Sequence, residues 1–428
     1  MQDSFTFAIL GAGGRGQGFA QWIAEHPQVG RVVAVADPDP DRRKIVADMH
    51  RIPESMQFET WEELLDRPQL ADAALNTLMD RLHAPAAVKA LAAGYHMLLE
   101  KPMAVTYEDC VAIDETARRY NRIVCVCHSM QYHQTYAEAK RLVRSGAIGD
   151  LVTFDHLEPV NPYHQAHSFV RGNWGNEGRS SNMLLAKSCH DIDLIADIVD
   201  RKCERVSSFG SLTYFRPEYA PQGATMRCMD GCPAEEACSY SALKFYLQPN
   251  PKWPSCAGYL AGLPIAEKID ALKVGPFGRC VYHCDNDVVD HQVVNFEFDG
   301  GVTGTFTMTA FRDHGVGRMM RLHGTDGYLQ VAINTNTIDW LRYSDERQAT
   351  ITLPAMDGGH GGADHNLMLA FISALRHGDS ANVATGTGKS LASHAIVFAA
   401  ERARHQKRVV EMSEFTPTTY QPGLVAAR

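Results

Sequence analysis

The residues of this sequence that are best suited to chemistry begin with a cluster of glycines near its start. Residues 11–16 read Gly-Ala-Gly-Gly-Arg-Gly, which places Gly11, Gly13 and Gly16 in a Gly-x-Gly-x-x-Gly spacing. The apolar run Phe5–Leu10 precedes the cluster, and a helical stretch follows it. Between a strand and a helix, the first glycine permits a tight turn, the second lets backbone amides approach a pyrophosphate, and the third allows close helix–strand packing. The spacing therefore predicts a dinucleotide-binding loop.

The next predicted strand is followed by an aspartate, whose carboxylate would distinguish NAD from NADP. The apolar run Arg31–Ala36 is followed by Asp37, at the distance from the glycines that the dinucleotide fingerprint requires. A carboxylate at this point accepts hydrogen bonds from the ribose 2′-hydroxyl of NAD and repels the 2′-phosphate of NADP. Arg42 and Arg43 follow closely and would soften that preference. We expect NAD as the cofactor, and the alternative is a glycine-rich turn that binds no ligand.

The elements that must position these residues alternate between strands and helices. Three further apolar runs have strand character, and two stretches between them have helical character: 72–77, 96–99 and 123–127, with helices at 85–93 and 107–120. Alternation of short strands with helices of this length is typical of a doubly wound parallel sheet. The N-terminal part of the chain is therefore expected to have an α/β fold.

One of these strands leads directly into a charged motif. Residues 96–99 are followed by Glu100, Lys101 and Pro102. Ligands of a parallel sheet bind at the carboxyl ends of its strands. This position favours a role for Lys101 in a site over a surface ion pair with Glu100.

Composition and charge exclude several classes of function. The 428 residues are 45% hydrophobic and 21% charged, which is typical of a globular protein and argues against extended disorder. Forty-one Lys and Arg against fifty Asp and Glu give a net charge of −9, so no global field attracts nucleic acid or an anionic membrane. No apolar run is long enough to span a bilayer, and the N-terminus lacks the pattern of a secretory signal. We expect a cytoplasmic protein without nucleic-acid or membrane partners.

Together, the motifs closely resemble the Gfo/Idh/MocA family, which comprises glucose-fructose oxidoreductase, inositol dehydrogenase and their relatives. The resemblance rests on the glycine motif with Arg15, on Asp37, on His83 beyond the third strand, and on Gly94–Pro102 with its Glu-Lys-Pro end. Of these, the Glu-Lys-Pro motif is the most specific signal.

The resemblance implies the organisation of the whole chain. A Rossmann domain with a doubly wound parallel sheet is expected over 1–127. An α+β domain is expected over 128–428, with an open, mostly antiparallel sheet that faces the cofactor. In the family this sheet often builds dimers, so the resemblance also implies a homodimer or homotetramer.

The resemblance further implies roles for individual residues. The family lysine approaches both the nicotinamide and the substrate hydroxyl, so Lys101 inherits that role. A cation beside the reacting oxygen lowers the hydroxyl pKa and assists proton movement during hydride transfer. The implied cofactor-binding residues are Gly11, Gly13, Gly14, Arg15, Gly16, Asp37, Thr77, His83, Glu100, Lys101 and His128.

A histidine motif in the second half of the chain supplies the catalytic candidates. Residues 181–200 are predicted to form one helix that contains His190. The family usually has an Asp four residues before this histidine, and the pair polarises the substrate hydroxyl. Here Ala186 occupies that position and Lys187 follows it, so the usual proton relay is altered. His190, with an ordinary pKa of about 6.5, is still expected to act as acid or base, and Lys187 would share its helix face.

Both candidates have structural alternatives. His190 could be a buried core histidine with satisfied hydrogen bonds. Lys187 could instead pair with Asp191 on an exposed face of the helix.

A polar, aromatic stretch between 156 and 179 is expected at the rim of the substrate pocket. A neutral sugar is bound mostly by hydrogen bonds, whereas an anionic group favours Arg and Lys, and a tryptophan could stack on a sugar face. A solvated loop is the alternative for each residue. The substrate-binding candidates are His164, His167, Arg171, Asn173 and Trp174.

The cysteines are unevenly distributed along the sequence. Six of the eleven cysteines fall between 228 and 284, in an insertion expected over about 213–285. The spacing predicts a structural zinc site, although it contains no standard Cys-x-x-Cys pair. Iron–sulfur ligation and unliganded thiols remain as alternatives. The predicted ligands are Cys228, Cys232, Cys238 and Cys280, with Cys284 as another choice for the fourth.

These observations define three hypotheses for function. The altered relay, the cysteine insertion and the His/Arg-rich stretch are similar to the family branch of NAD-dependent glycosidases, including enzymes that act on sulfoquinovosides. We therefore favour a redox-neutral glycosidase with retained NAD, acting on an anionic sugar. The alternatives are a sugar or inositol dehydrogenase that exchanges NAD for NADH in each turnover, and a NAD-sensing protein without turnover.

Overall fold

The structure is a computed structural model of the protein. It describes residues 4–248, 260, 263–311, 317–379 and 383–415. Cys256, one of the six clustered cysteines, lies outside the described residues. Across the described residues, we find no helix with the length and apolar character needed to cross a membrane.

The first sheet has six parallel strands in the order β3-β2-β1-β4-β5-β6. This is the order of a dinucleotide-binding Rossmann sheet, so the predicted fold of the N-terminal part is confirmed. Its strands are apolar because helices cover both faces of the sheet. The strands are β1 (Phe5–Leu10), β2 (Gly30–Ala36), β3 (Gln57–Phe58), β4 (Ala73–Asn76), β5 (His96–Leu99) and β6 (Val124–Val126).

Helices pack on the two faces of this sheet in two separate apolar clusters. One cluster contains α3, α4 and α5, and the other contains α1, α2 and a helix from late in the chain, α12. Leu367, Met368 and Phe371 of α12 are fully buried in the latter cluster. The helices are α1 (Gly14–Glu25), α2 (Pro40–His50), α3 (Trp61–Leu65), α4 (His83–Ala92), α5 (Tyr107–Arg119) and α12 (Ala363–His377).

The second sheet has nine strands in the order β14-β13-β12-β11-β7-β10-β9-β8-β15. All of its strand pairs are antiparallel except β7 with β10, which confirms the predicted open, mostly antiparallel sheet. The strands are β7 (Leu151–Pro159), β8 (Cys203–Ser211), β9 (His291–Phe298), β10 (Val302–Thr309), β11 (Met319–Gly324), β12 (Gly327–Ala332), β13 (Thr337–Arg342), β14 (Gln348–Thr352) and β15 (Val410–Glu411).

One face of the second sheet is covered by helices that also reach the first sheet. Buried apolar residues of these helices and of strands β7–β12 form one core. The remaining helices are α6 (Gln134–Arg144), α7 (Pro162–His164), a π-helix (Gln165–Arg171), α8 (Met183–Ala186), α9 (Cys189–Val199), α10 (Ala242–Tyr246), α11 (Ile265–Val274) and α13 (Thr387–Gln406). Short 3₁₀ turns occur at Glu54–Met56, Asp80–Leu82, Ser129–Tyr132, Asn173–Gly175, Pro217–Tyr219, Pro276–Gly278, Asp299–Gly301 and Met412–Phe415.

The single helix predicted over 181–200 is wrong, because the chain breaks it into α8 and α9. Lys187 ends α8 and Ser188 has φ −101° and ψ 6°, outside the helical geometry. Lys187 and His190 therefore do not share one continuous helix face. The break leaves the carbonyl of Ala186 free for a partner from the first sheet.

The insertion has a small core of its own. Phe215, Phe245, Tyr246, Val281 and Tyr282 are buried together there. The π-helix Gln165–Arg171 contributes Ala166 and Val170 to the same cluster. The insertion is thus joined to the second sheet through this helix.

Candidate active site

The glycine loop is fixed by close backbone contacts. Gly11 has φ +92°, and a Cβ there would lie 2.8 Å from the carbonyl oxygen of Thr77. A Cβ at Gly16 would lie 2.1 Å from the carbonyl oxygen of Gly11. The Thr77 hydroxyl donates to that same carbonyl at 2.6 Å. Packing therefore requires glycine at positions 11 and 16, and the hydrogen bond from the Thr77 hydroxyl stabilises the loop.

Space in front of the loop fits the phosphates of a dinucleotide. A Cβ at Gly13 or Gly14 would meet no atom within 4 Å. Helix α1 begins here without a side-chain cap and without an acidic residue in its first turn. Its free amides and the positive end of its dipole face that space, which suits an anion. The residues present therefore fit the pyrophosphate of NAD.

Asp37 at the end of β2 is held in a definite orientation. One carboxylate oxygen accepts from the Ala12 amide at 2.7 Å, and the other accepts from the Asp39 amide at 2.9 Å. The carboxylate is buried beside the glycine loop, where a ribose hydroxyl would approach it. The Arg43 guanidinium donates to the backbone carbonyl of Asp37, and Arg42 pairs with Asp39. Both arginines thus have partners in the chain.

Arg15 joins the glycine loop to α12 rather than projecting freely. Its Nε donates to Glu100 at 2.5 Å, and its Nη1 donates to Asp364 at 2.7 Å. Burial favours the neutral guanidine, but Glu100 and Asp364 hold the pKa of Arg15 well above its usual value. Asp364 also accepts from the Ser129 hydroxyl at 2.5 Å. Glu100 and Arg15 therefore position the loop against the late helix.

Lys101 follows β5, at the carboxyl end of the first sheet. Its Nζ donates to the carbonyl oxygen of Ala186 at 2.7 Å, so the two parts of the chain meet at this lysine. His83 supports the same turn, with Nδ1 2.7 Å from the carbonyl oxygen of Pro102 and Nε2 2.9 Å from that of Leu78. Because both ring nitrogens of His83 contact backbone carbonyls, we assign His83 to holding the Glu-Lys-Pro turn.

His190 is buried next to Lys101 in a cluster of imidazoles. Its ring centroid lies 5.7 Å from that of His128 and 5.6 Å from that of His360. Burial, followed by the charge of Lys101, lowers the pKa of His190 well below its usual value. Its Nδ1 has no hydrogen-bond partner within the described part of the chain. His190 is thus a neutral imidazole with a free nitrogen.

His128 is also neutral and lies deeper in the protein. Burial, followed by the charge of Lys101, lowers the pKa of His128 to about 3. Its Nε2 is 4.0 Å from Asp193, whose own pKa is raised to about 6 by burial. His394 packs against His128, and burial likewise lowers the pKa of His394 to about 3. The imidazoles of His128 and His394 are therefore uncharged at neutral pH, which is consistent with their complete burial.

Lys187 belongs to a buried network of ion pairs. Its Nζ lies 2.9 Å from Glu158 on β7, and the other oxygen of Glu158 lies 2.6 Å from Arg318. Arg318 also contacts Asp191 at 2.8 Å, and Asp191 contacts His156 at 2.8 Å.

The pKa values follow from these contacts. Burial alone would raise the pKa of Asp191, but Arg318 and His156 lower it below its usual range. Burial lowers the pKa of Lys187, and Glu158 offsets part of that shift. The alternative of an exposed pair between Lys187 and Asp191 is therefore wrong, since both are buried and have other partners. We assign Lys187 to positioning.

The five substrate candidates divide between the pocket and its surroundings. His164 lies close to the cations of the site, because burial and then the charges of Lys187, His167 and Lys101 lower its pKa well below the usual value. Asn173 and Trp174 contact residues from the first half of the chain, and the Trp174 indole Nε1 donates to Asp80 at 3.1 Å.

The other two candidates are directed into the insertion. His167 stacks on Phe277 with a centroid distance of 4.5 Å and bonds to the Tyr246 hydroxyl. Arg171 donates to the carbonyl oxygens of Arg279 and Tyr240 at 2.7 and 2.6 Å. The assignment of Arg171 to substrate binding is corrected for this reason, since its side chain is buried in the insertion core.

Several residues of the site were not found from the sequence. Glu158, Arg318 and Asp364 lie far from the motifs in sequence and belong to no recognisable pattern of their own. Only folding brings them beside Lys187 and Arg15. His360 also belongs to the site, where it lies against His190 and Asp364.

Fold and site together define a dinucleotide-dependent oxidoreductase. Family models match the chain over residues 5–128, described as an oxidoreductase family with a NAD-binding Rossmann fold, and over 140–412, described as the C-terminal alpha/beta domain of that family. The protein therefore belongs to the Gfo/Idh/MocA oxidoreductase family, and the resemblance noted from its motifs is confirmed.

Similar proteins cover a range of activities within this family. The putative oxidoreductase YteT of Bacillus subtilis is 24% identical over 79% of this chain and 81% of its own length. A glycosyl hydrolase family 109 protein of Shewanella pealeana is 25% identical over 35% of this chain and 34% of its own length. The structure of a levoglucosan dehydrogenase with NADH and levoglucosan has a TM-score of 0.69 at 17% identity, covering 96% and 99% of the two chains.

Replacing Gly13 by Ala should weaken NAD binding without affecting the fold. The new methyl group has room in the protein but occupies the space into which the phosphates must come. We expect the Kd for NAD, measured by calorimetry, to rise at least about tenfold, which corresponds to roughly 1.4 kcal/mol. Gly18→Ala, also without a clash, is the control on the same helix. Equal affinities in the two variants would contradict this account of the loop.

Acid should destabilise the protein below about pH 6.5, because His128 and His394 cannot take up protons while folded. Their folded pKa values are about 3, whereas the unfolded chain binds protons below about 6.5. The contribution of each histidine to the free energy of unfolding is fully present above the unfolded pKa. It falls by about 2 kcal/mol between pH 7 and pH 5. Asp193 has a raised pKa in the folded protein, so its protonation increases the free energy of unfolding over the same pH interval.

Denaturant unfolding at several pH values measures the effect. His128→Gln should reduce the pH dependence by close to one proton, whereas His405→Gln, at an exposed position, should leave it unchanged. An unchanged dependence in His128→Gln would show that this histidine is not the group responsible.

Proposed function

We propose that the protein is a redox-neutral glycosidase that uses retained NAD to oxidise a sugar hydroxyl at C3. The observation that supports this most is the buried, neutral imidazole of His190 beside the ammonium group of Lys101. A neutral imidazole accepts a proton, and a neighbouring cation stabilises the oxygen that loses it. This pair is suited to deprotonating a hydroxyl while hydride leaves the same carbon.

When bound, NAD supplies a hydride acceptor that can later return the hydride to the same carbon. The glycine loop, α1 and Asp37 would hold it. His190 would take the C3 hydroxyl proton, while Lys101 would polarise the oxygen and later the C3 carbonyl. Since that carbonyl acidifies the proton at C2, a second base can remove it and the C1–O bond to the aglycone breaks.

The later steps of a glycosidase need more than one proton carrier. The departing aglycone takes up a proton, water adds at C1, and a proton returns to C2 before C3 is reduced again. His360 lies against the ring of His190, and burial followed by the charges of nearby lysines lowers the pKa values of His164 and His190. Two neutral imidazoles, those of His164 and His190, fit this sequence of steps better than a single base. The similarity to a glycosyl hydrolase family 109 protein also supports it.

An anionic sugar, such as a sulfoquinovoside, is the substrate class that we propose. Burial lowers the pKa values of His164 and His190, and the positive charges of Lys101 and Arg318 lower both further. These cations support a site that accepts negative charge, although carboxylates pair with Lys187 and Arg318. A positive, partly desolvated pocket stabilises a sulfonate or carboxylate.

A sugar or inositol dehydrogenase is the second candidate. Lys101 and His190 are sufficient for oxidation of a hydroxyl, and a dehydrogenase needs no further proton carrier. The two candidates differ in what happens to the hydride, which either returns to the product or leaves with NADH.

A homodimer or homotetramer remains part of the proposal. Val152 on β7 and Phe209 on β8 leave apolar side chains exposed on the second sheet, with Phe209 67% exposed. Such a surface is typical of a protein interface. Light scattering would measure the assembly.

Aglycone release and NADH should be followed together with a panel of glycosides. We expect release from a nitrophenyl sulfoquinovoside without net NADH, and solvent deuterium at C2 of the product. The neutral matched control is the nitrophenyl glucoside, which should react more slowly. Accumulation of NADH from free sugar would instead identify a dehydrogenase. NAD binding without turnover of any sugar would favour a sensor.

Removal of either group of the proposed pair should abolish turnover but not cofactor binding. Lys101→Met and His190→Asn are each expected to lower kcat by about 10²–10⁴. Lys44→Met, at an exposed position on α2, should keep full activity. NAD affinity and thermal unfolding report whether each variant is folded. Activity within about threefold of the parent in either variant would remove that residue from the mechanism.

A further inference from the structure

Arg171 is a buried cation whose counter-charge is not a carboxylate. The residue is 1% exposed, and two of its nitrogens donate to backbone carbonyls of the insertion. Its Nη1 has no partner, and no Asp or Glu oxygen of the described residues lies within 4.0 Å of the guanidinium. A guanidinium remains protonated in proteins, and an unpaired buried charge is costly. An anion is therefore expected beside it.

The groups around Arg171 are thiols. Its Nη2 lies 3.7 Å from the Sγ of Cys228, which lines a cavity together with Cys232, Cys238 and Cys280. No other titratable side chain except Glu235 and Tyr282 lines that cavity. Glu235 accepts a hydrogen bond from the Ser241 hydroxyl, and Tyr282 bonds to Tyr214.

Backbone contacts hold these cysteines around the cavity. The Cys228 amide donates to the carbonyl oxygen of Gly278 at 3.0 Å, and the Cys280 amide donates to that of Met226 at 2.9 Å. The two segments therefore bring together thiols that are far apart in sequence. Cys284 is held differently, with its Sγ 3.2 Å from the carbonyl oxygen of Cys280, and it does not line the cavity.

The spacing of the sulfur atoms is too wide for one zinc ion. Tetrahedral zinc with Zn–S bonds of about 2.3 Å brings its sulfurs to within roughly 3.8 Å of one another. In the described part of the chain, no three cysteine sulfurs lie within 4.8 Å of each other. The four cysteines instead line a common small cavity of about 20 Å³. The predicted zinc site does not fit this arrangement, whereas a group that bridges thiolates standing farther apart does.

We propose that Cys228, Cys232, Cys238 and Cys280 bind a four-iron iron–sulfur cluster and that Arg171 provides its buried counter-charge. Such clusters are held by four cysteine thiolates, each bound to a different iron atom, which spreads the sulfurs apart. Assembly from two ferrous ions, two ferric ions and four sulfide ions forms four Fe–S(Cys) bonds and releases the four thiol protons, with no net transfer of electrons. The negative charge of the thiolates balances the positive charge of the Arg171 guanidinium.

The proposed cluster would fasten the insertion next to the active site. The π-helix Gln165–Arg171 starts directly after His164 and ends at the cluster's counter-ion. Its residues Ala166 and Val170 pack in the insertion core. Ligation at one end of this helix would therefore fix the position of His164 at the other. The proposal concerns metal content and stands whether or not the protein is a glycosidase.

Metal and sulfide analysis of the full chain tests the assignment. The protein is purified without oxygen, and an aliquot is reconstituted with ferrous and ferric iron and sulfide. We expect about four irons and four acid-labile sulfides per chain, with broad visible absorption. About one zinc and no iron per chain, or absence of iron after reconstitution, would overturn the proposal.

Variants locate the ligands and the counter-charge. Cys228→Ser, Cys232→Ser, Cys238→Ser and Cys280→Ser should each lose most of the iron, whereas Cys284→Ser should retain it. Arg171→Met should retain several-fold less iron than the parent under a chelator, and Arg171→Lys should recover part of the loss because it keeps the charge. NAD binding to the separate Rossmann sheet shows that each variant is folded.

Two outcomes would contradict the assignment of residues. Loss of iron in Cys284→Ser but not in Cys280→Ser would overturn the choice of the fourth ligand. Equal retention of iron by the parent and Arg171→Met would overturn the role of the guanidinium, since a counter-charge must affect the stability of the group it neutralises.

Discussion

Pairing of buried charges is the constraint on which the whole site depends. A charge taken out of water is tolerated only where an opposite charge or several hydrogen bonds meet it. Arg15 meets Glu100 and Asp364 in this way, and these residues come from α1, the end of β5 and α12. The glycine loop can therefore take its place only when the late helix has packed on the first sheet.

The same constraint organises the second half of the site. Glu158 on β7 lies between Lys187 and Arg318, and Asp191 lies between Arg318 and His156. Removing one member would leave an uncompensated buried charge, so the network acts as one unit. It fixes the turn between α8 and α9, from which the Ala186 carbonyl reaches Lys101. The position of this turn thus depends on residues that are distant from it in the sequence.

Local signals explain why so much of the N-terminal fold could be predicted. The apolar strands, Gly11–Gly16 and Asp37 each depend on backbone geometry over a few residues, and the structure has them in the expected order. The hairpin of β9 and β10 has a comparable local signal in its Asp299-Gly-Gly turn. Strands β8, β13 and β14 carry no comparable turn or alternation signal, and they were missed.

The errors have a common physical origin, because they concern partners that only the fold supplies. Lys187 and Asp191 are four residues apart in the sequence, which suggested a helical ion pair, but each found a buried partner from another strand or loop. Arg171 was predicted to bind substrate, but its side chain is buried in the insertion and donates to the backbone carbonyls of Arg279 and Tyr240. The sequence did not indicate these partners, since they come from segments that converge only on folding.

Position 186 illustrates how a single substitution changes the electrostatics of such a site. A carboxylate four residues before His190 would neutralise Lys101 and give the histidine a negative neighbour. With Ala186, the ammonium group is held by a carbonyl dipole, which orients it without cancelling its charge. Burial lowers the pKa values of His128, His164 and His190, and the charge of Lys101 lowers all three further. The residue at position 186 thereby affects the protonation of side chains that it does not touch, because it decides whether the charge of the lysine is cancelled.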